Sequence, residues 1–321
     1  MEEDMKIIVF GTDVSKFKET GFGSITSCIN VYKALKSVYE NTEFIEIKSV
    51  SDIEKVINLK PDLVICGFKY FIDDKGEKYW ISDIVEKNNI TLVGSPFSSI
   101  KYDSNKALAK DTLIKNNINT AKFKVINSKN LKDDIKIKYP LFVKPVDAAC
   151  SFGVDDKSFV SDYEELLEKV QNIEEDFNQD SLVEEFLPGN EYTVGIIGNG
   201  DDILIAPIEL SSSYNMDGNK FLPRDAKVAN IEKYDIVTDT NIKEKIIKLT
   251  KEVCRIFKVR DLARVDIKLD NHGEPSFIEI NLLPGFSKGT SYFPIAFNLN
   301  YGMSYDETVN AVVKAAMNRV R

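Results

Sequence analysis

The 321 residues include one histidine, four cysteines, one tryptophan and ten prolines. A lone histidine, His272, excludes a zinc site built from several imidazoles, and it leaves any Ser-His-Asp or Cys-His machinery a single residue to use. It falls in Asp270-Asn271-His272-Gly273, between two strand-like runs, where a surface turn is expected. Cys28, Cys66, Cys150 and Cys254 stand far apart with no CxxC spacing, so they read as reduced thiols filling a core. Positive charge is in deficit: 42 Lys and Arg against 51 Asp and Glu, a net −9, which argues against a nucleic-acid partner. Long apolar runs are lacking too. Ile7 to Phe10 is too short for a membrane span or a secretory segment, and the Met1-Glu-Glu-Asp-Met5 before it is acidic where a signal peptide is basic. No membrane partner and a cytoplasmic location are the expectations.

What is present is an ordinary soluble composition, 43 % hydrophobic and 29 % charged, in a chain long enough for two or three domains. Through residue 96 short apolar runs alternate with helical spacing. Strands are expected at Lys6 to Gly11, Leu63 to Gly67 and Thr91 to Ser95. A helix is expected over Thr26 to Tyr39, with Ile29, Tyr32, Leu35 and Val38 on one face. That rhythm predicts a parallel sheet covered by helices. A helix from Ser104 to Asn116 follows, carrying Leu108, Leu113 and Ile114, then strands at Lys122 to Ile126 and Leu141 to Pro145. A helix starts at Ser161, which has capping-box spacing to Glu164. Strands at Ser181 to Leu187, Tyr192 to Ile197 and Ile203 to Leu210 precede a polar loop from Ser211 to about Asp235. An amphipathic helix, Asn241 to Phe257, starts with Asn241 and Glu244 in the same spacing and carries Ile242, Ile246, Leu249, Val253 and Ile256 as its stripe. Two strands close the pattern, Ala263 to Asp270 and Pro275 to Leu283.

The chemistry concentrates in those last two strands. Side chains alternate along a strand, so Arg264, Asp266 and Lys268 share one face, and Glu279 and Asn281 share one face of the partner, with Ile278 and Ile280 behind. Pairing Asp270 with Pro275 sets Asp266 against Glu279 and Arg264 against Asn281. Opposed carboxylates repel across strands. They persist where a cation is close or where the face is solvated, and two carboxylates with an amide oxygen are the hard donors that magnesium takes beside phosphate oxygens. A second feature is Lys144-Pro145 followed by Ala148-Ala-Cys-Ser-Phe-Gly153, either a plain small-residue loop or one whose amides close over phosphate. It is neither GxxxxGK[ST] nor GxGxxG. A third, Val183-Glu-Glu-Phe-Leu-Pro-Gly-Asn-Glu191, groups acids at a strand end and a Pro-Gly turn.

In this order and spacing, the three features resemble the ATP-grasp superfamily, and within it the D-alanine–D-alanine ligases. The resemblance runs from Leu92-Val-Gly-Ser95 and Asp103-Ser-Asn-Lys-Ala-Leu-Ala-Lys110 to Pro284-Gly285. Its most specific stretches are Ala263-Arg-Val-Asp-Ile267 and Phe277-Ile-Glu-Ile-Asn-Leu-Leu-Pro-Gly285. It implies an α/β fold that is α+β in its ATP-grasp part: an N-terminal parallel α/β domain (1–96), a central ATP-grasp subdomain (97–187) and a C-terminal one (188–321), with ATP between antiparallel sheets. The implied activity is ATP-dependent joining of a carboxylate to an amine through an acyl phosphate, releasing ADP and phosphate, with two amino acids or similar small molecules as partners.

The resemblance also implies roles. Lys106 and Lys144 match the phosphate-contacting lysines, and Glu184, Glu185, Phe186 and Leu187 the segment that meets adenine. Glu191 matches the acid on the ribose hydroxyls. Asp266, Glu279 and Asn281 match the ligands of Mg2+, with Mn2+ as an alternative, and Arg264 matches the cation on the transferred phosphoryl group. Ser151, Phe152 and Gly153 fall in the phosphate loop, with Cys150 where the family carries a serine. In the polar loop, Tyr214, Lys220, Arg224 and Lys227 are candidates to reach the reacting groups. The substrate half departs from the pattern. Gly11 to Gly21 lacks the family's Gly-Gly-x-Ser-x-Glu form, leaving Asp13 or Glu19 to replace its glutamate. Gly67 to Glu77 lacks the family's histidine but keeps Glu77. The stretch after Gly285 is one residue longer, with Lys288 or Ser291 as holders of a substrate carboxylate. D-Ala–D-Ala ligation, ligation of another amino-acid pair and ATP binding without catalysis all stay open, and a homodimer is expected from similar enzymes.

Overall fold

The computed structural model describes residues 5–14, 21–131, 135–147, 153–211, 215–216, 219–220 and 233–320. In the first part β1 (Ile7–Gly11), α1 (Ile25–Lys36), β2 (Thr42–Glu46), α2 (Val50–Asn58) and β3 (Leu63–Cys66) alternate, followed by a small hairpin of β4 (Tyr70–Ile72) and β5 (Lys78–Trp80), then α3 (Ile81–Lys87) and β6 (Thr91–Leu92). The main strands form a parallel sheet in the order β2-β1-β3-β6. Every residue of β1 and β3 is buried, because helices cover both faces. Ile8 and Phe10 pack with Ile53, Val56, Ile81 and Val85, whereas Ile7 and Val9 share a core with α1. The buried side of α1 is Cys28, Val31, Ala34 and Leu35 rather than the expected stripe: Val38 is 53 % exposed, beyond the end of the helix. The third strand stops at Leu92, not Ser95, because Gly94 takes a positive φ of 122° and its N–H turns to Asp261.

The next part holds α4 (Phe97–Ser104), α5 (Lys106–Lys115), β7 (Phe123–Ile126), β8 (Leu141–Pro145), β9 (Phe159–Val160), α6 (Tyr163–Phe177) and β10 (Ser181–Glu185). Its sheet, β7-β10-β8-β9, is antiparallel and packs on Leu166, Val170 and Ile173 of α6. The sequence pattern does not announce α4, which buries only Ser99 and Ile100. Asn105, not Ser104, separates the two helices: its side chain accepts Leu108 N–H at 2.8 Å and starts α5. The cap of α6 is one residue later than expected. Asp162 accepts Glu165 N–H at 2.9 Å, and the Glu165 carboxylate returns to Ser161 N–H at 2.7 Å.

The last part carries β11 (Glu191–Asn199), β12 (Asp202–Ser211), the short pair β13 (Asn215–Met216) and β14 (Asn219–Lys220), β15 (Lys233–Ile236), α7 (Thr240–Phe257), β16 (Arg260–Leu269), β17 (Pro275–Asn281), α8 (Tyr292–Tyr301) and α9 (Tyr305–Val320). The antiparallel sheet β15-β12-β11-β16-β17 forms around β11, so the expected polar loop contains paired strands at both ends. Helix α7 starts at Asp239, whose carboxylate accepts Ile242 N–H at 3.0 Å, leaving Asn241 and Glu244 inside it. One face of the sheet buries Ile246, Val253 and Phe257 of α7. The other meets Phe293 and Phe297 of α8 and Val309, Val313 and Met317 of α9, continuous with the core under the parallel sheet. Asp261 fastens this junction. Fully buried, it accepts from Gly94 N–H at 2.8 Å, Asn199 Nδ2 at 3.0 Å and Arg319 Nε and Nη2 at 3.0 and 2.8 Å.

Candidate active site

The hairpin β16–β17 turns at Asp270, whose Oδ1 accepts the N–H groups of His272 and Glu274 at 2.8 and 2.9 Å, so His272 lies in an exposed turn as expected. Asp266 stands opposite Glu279 and Arg264 opposite Asn281, the pairing anticipated from alternation. The route to it differs. Leu269, not Asp270, pairs with Pro275, and Ile267 with Phe277; Ile278 is then bulged out before the Asp266–Glu279 pair. The reason is burial. In a flat register Phe277 would share the polar face with Glu279, whereas the bulge turns it fully into the core against Phe257, ring centroids 6.0 Å apart, and leaves Ile278 half-buried.

Protein cations answer the carboxylate repulsion. Arg264 clamps Asp266 in a bidentate pair, Nε to Oδ1 at 3.0 Å and Nη2 to Oδ2 at 2.8 Å. Thr193, opposite on β11, donates to Asp266 Oδ1 at 2.6 Å, and Asn281 Nδ2 reaches Oδ2 at 3.4 Å. Lys106, in the first turn of α5, lies 3.7 Å from the Glu279 carboxylate. Asp266, Glu279 and the Asn281 amide thus form a group of hard oxygen donors beside a cationic rim. Among the described residues no third Asp, Glu, His or Cys joins them, so a small divalent cation there would draw its remaining ligands from phosphate oxygens and water.

Behind this face lies a buried charge cluster that the sequence reading did not assign. Glu184 on β10 divides its carboxylate between two ammonium groups, Oε1 to Lys110 and Oε2 to Lys144, both at 2.6 Å. Burial opposes the charge of Lys144, but Glu184, Glu279 and Glu191 outweigh it and hold its pKa above the usual lysine value. Burial dominates at fully enclosed Lys110, which lies below that value despite Glu184, with Lys144 adding to the push. Burial would raise Glu184, yet the two lysines keep it below the usual carboxylate range.

Of the adenine segment, Glu184 lies inside the sheet with both edges paired, Glu185 N–H goes to Lys122 O and Phe186 N–H to Pro140 O. The Phe186 ring packs edge-on to Phe159, with Lys268 Nζ 5.1 Å from its centroid; Leu187 is buried beyond it and Glu191 opens β11. Gly153 has φ +75°, and a Cβ there would fall 2.6 Å from the Pro145 ring. Its carbonyl accepts Lys169 Nζ at 2.9 Å.

The substrate candidates are scattered. Glu77 is exposed on β5's hairpin and accepts the Tyr79 hydroxyl at 3.0 Å. Lys288 is exposed, 3.9 Å from Asp306. Ser291 is the residue before α8; its Oγ accepts Ser287 N–H at 2.9 Å, and a Cβ on Gly285 would meet that Oγ at 3.0 Å. Asp13 is exposed near the end of β1. Glu19, Cys150, Ser151, Phe152, Tyr214, Arg224 and Lys227 lie outside the described residues, as does the side chain of Lys220. Lys69, inside the segment that lacks a histidine, is buried against Asp103 at 2.7 Å, a partnership 34 residues long that no local pattern signals.

A family model described as D-ala D-ala ligase C-terminus matches residues 113–314. The D-alanine–D-alanine ligase of Coprothermobacter proteolyticus is 27 % identical over 292 residues, covering 88 % of this chain and 91 % of that protein. The D-alanine–D-alanine ligase of Halalkalibacterium halodurans is 28 % identical over 326 residues, covering 98 % and 100 %. Among solved structures, D-alanine–D-alanine ligase from Bacillus anthracis complexed with ATP superposes with a TM-score of 0.77 at 21 % identity, over 98 % of both chains. VanG D-Ala:D-Ser ligase from Enterococcus faecalis gives 0.69 at 20 %, over 98 % of this chain and 99 % of that one.

Proposed function

The chain belongs to the D-alanine–D-alanine ligase family, and on that premise we propose that it is an ATP-dependent, ADP-forming ligase that joins two amino acids, or similar small substrates, through a carbon–nitrogen bond. The observation that carries this reading is the meeting of Arg264 and Lys106 at the Asp266–Glu279 pair, Arg264 clamping Asp266 at 2.8 Å and Lys106 lying 3.7 Å from Glu279.

Phosphoryl transfer asks a protein for position and for neutralisation of charge rather than for a covalent nucleophile. In the proposed reaction an oxygen of the first substrate's carboxylate attacks the γ-phosphorus of ATP, the bond to the β-phosphate oxygen breaks, and ADP leaves. The amine of the second substrate then attacks the acyl carbon and inorganic phosphate departs. Lys106 and Lys144 hold phosphate oxygens, and Arg264, aimed by Asp266, faces the charge on the transferred group. Asp266, Glu279 and Asn281 hold Mg2+, or Mn2+, which supplies charge neutralisation at the phosphates. The Leu187 N–H, which meets no acceptor among the described residues, suits an adenine ring nitrogen, and Glu191 suits the ribose hydroxyls.

The substrate pair is set by the half of the site that departs from the family pattern, and D-alanine with D-alanine is one pair among several to be tried. The test is ADP release with purified protein, ATP and Mg2+ across D- and L-amino-acid pairs. Release with one pair, and formation of the matching dipeptide, is the expected result. ATP binding with no turnover on any pair would overturn catalysis in favour of a nucleotide-binding regulator.

A further inference from the structure

We propose that Lys110 is a positioning residue, a fixed counter-charge that holds Glu184 so that Lys144 is free to meet a nucleotide phosphate. The inference rests on the reading above, in which Lys144 contacts ATP.

Lys106 and Lys110 are four residues apart on α5 and lie on one helix face. The first reaches forward to Glu279 and the second back into the protein to Glu184. The two lysines on Glu184 are not equivalent. Lys110, fully buried, also donates to Thr120 Oγ1 at 2.7 Å and to the Phe277 carbonyl at 3.3 Å, so an ion pair and two hydrogen bonds to three separate segments fix its ammonium. Lys144 has one partner at ion-pair distance among the described residues, Glu184.

The consequence is electrostatic. A buried carboxylate stripped of its only partner is strongly disfavoured. Were Lys144 the sole partner of Glu184, drawing it toward a phosphate would leave such a charge behind. With Lys110 fixed on Oε1, Glu184 keeps a partner whether Lys144 stays or leaves. The three side chains carry one net positive charge, and that charge resides on the lysine able to turn. Thr120 and Phe277 further link the counter-charge to β17, the strand that bears Glu279.

The experiment measures ATP affinity, with Mg2+, by titration calorimetry, and KM for ATP and for each amino acid, on folded variants checked by thermal melting. Lys110→Met is expected to weaken ATP binding and raise KM for ATP by about tenfold, within the range for residues coupled in one ion-pair network. KM for the amino acids is expected to stay unchanged. Lys110→Arg should retain most of the affinity. The double variant Lys110→Met/Glu184→Gln, in which no buried carboxylate competes for Lys144, should bind ATP at least about threefold more tightly than Lys110→Met. If the double variant binds ATP as poorly as Lys110→Met, or Lys110→Met binds normally, the proposal is overturned. Should Lys110→Met fail to fold, Lys110→Gln takes its place in the same comparison. Lys144→Met tests the underlying reading separately. Normal ATP affinity there removes that reading, whereas lost affinity with a normal Lys110→Met removes only this inference.

Discussion

Asp103 binds Lys69 through one carboxylate oxygen, at 2.7 Å, and the backbone N–H of Leu282 through the other, also at 2.7 Å. Both side chains are almost fully buried. One aspartate therefore fastens the parallel-sheet part to α4 and to the residue that follows Asn281. Each single substitution, Lys69→Met or Asp103→Leu, should cost about 3–5 kcal/mol in urea unfolding, because it breaks a buried ion pair by removing one member. The double variant should cost clearly less than the sum of the two. Additive losses would mean that the pair is not coupled.

Glu279 is partly exposed, with Lys106 3.7 Å from its carboxylate, and glutamine keeps its shape. Glu279→Gln should leave the melting temperature nearly unchanged. Turnover should fall by about a hundredfold or more, since charge stabilisation by a bound metal contributes several kcal/mol. Full activity in this variant would remove Glu279 from the metal assignment.

Gly153 needs its missing side chain twice, for a φ of +75° and for the closeness of the Pro145 ring. Gly153→Ala should cost about 1–2 kcal/mol from the left-handed backbone alone, read from denaturant midpoints. It should also raise KM for ATP, because an added Cβ would push on Pro145, the neighbour of Lys144 in β8. An unchanged KM would separate this glycine from nucleotide binding.

Alkaline pH should unfold the protein through its thiols. Burial pushes Cys28 and Cys254 from the usual 9.0 up to about 12, and Cys66 well above the usual value. Between those limits the unfolded thiols lose their protons while the folded ones keep them. Stability therefore falls as pH rises, by about 1.4 kcal/mol per pH unit for each such group. Below pH 9 these groups contribute no slope. Replacing Cys28 and Cys254 with alanine should flatten the curve between pH 9 and 11, measured as unfolding free energy against pH; an unaltered slope would exclude the thiols as its source.

The polar face of β16 and β17 was legible because alternation is a local rule: Arg264, Asp266, Glu279 and Asn281 could be set facing one another from position alone. The parallel order of the first sheet was legible from apolar runs separated by helical spacing. Helix starts were less so, since Asp162 and Asp239 compete with equally good neighbours, and the choice is made by which turn packs. Lys110 ends the Asp103 to Lys110 stretch and received no role from the sequence. Its burial depends on Glu184, Thr120 and Phe277 closing around it, and two of those belong to strands far along the chain. Lys69 and Asp103 were hidden for the same reason.

The bulged Ile278 has a consequence for how this hairpin tolerates change in length. It stands opposite no residue, so a chain without it would still pair Ile267 with Phe277 and Asp266 with Glu279, each on its present face. Loss of any other residue between Pro275 and Asn281 would put one stretch of the strand out of phase with its partner, sending either an aromatic ring into water or a carboxylate into the core. The hairpin thus holds one residue of slack, at the point where the strand stops answering to the core and starts answering to the site.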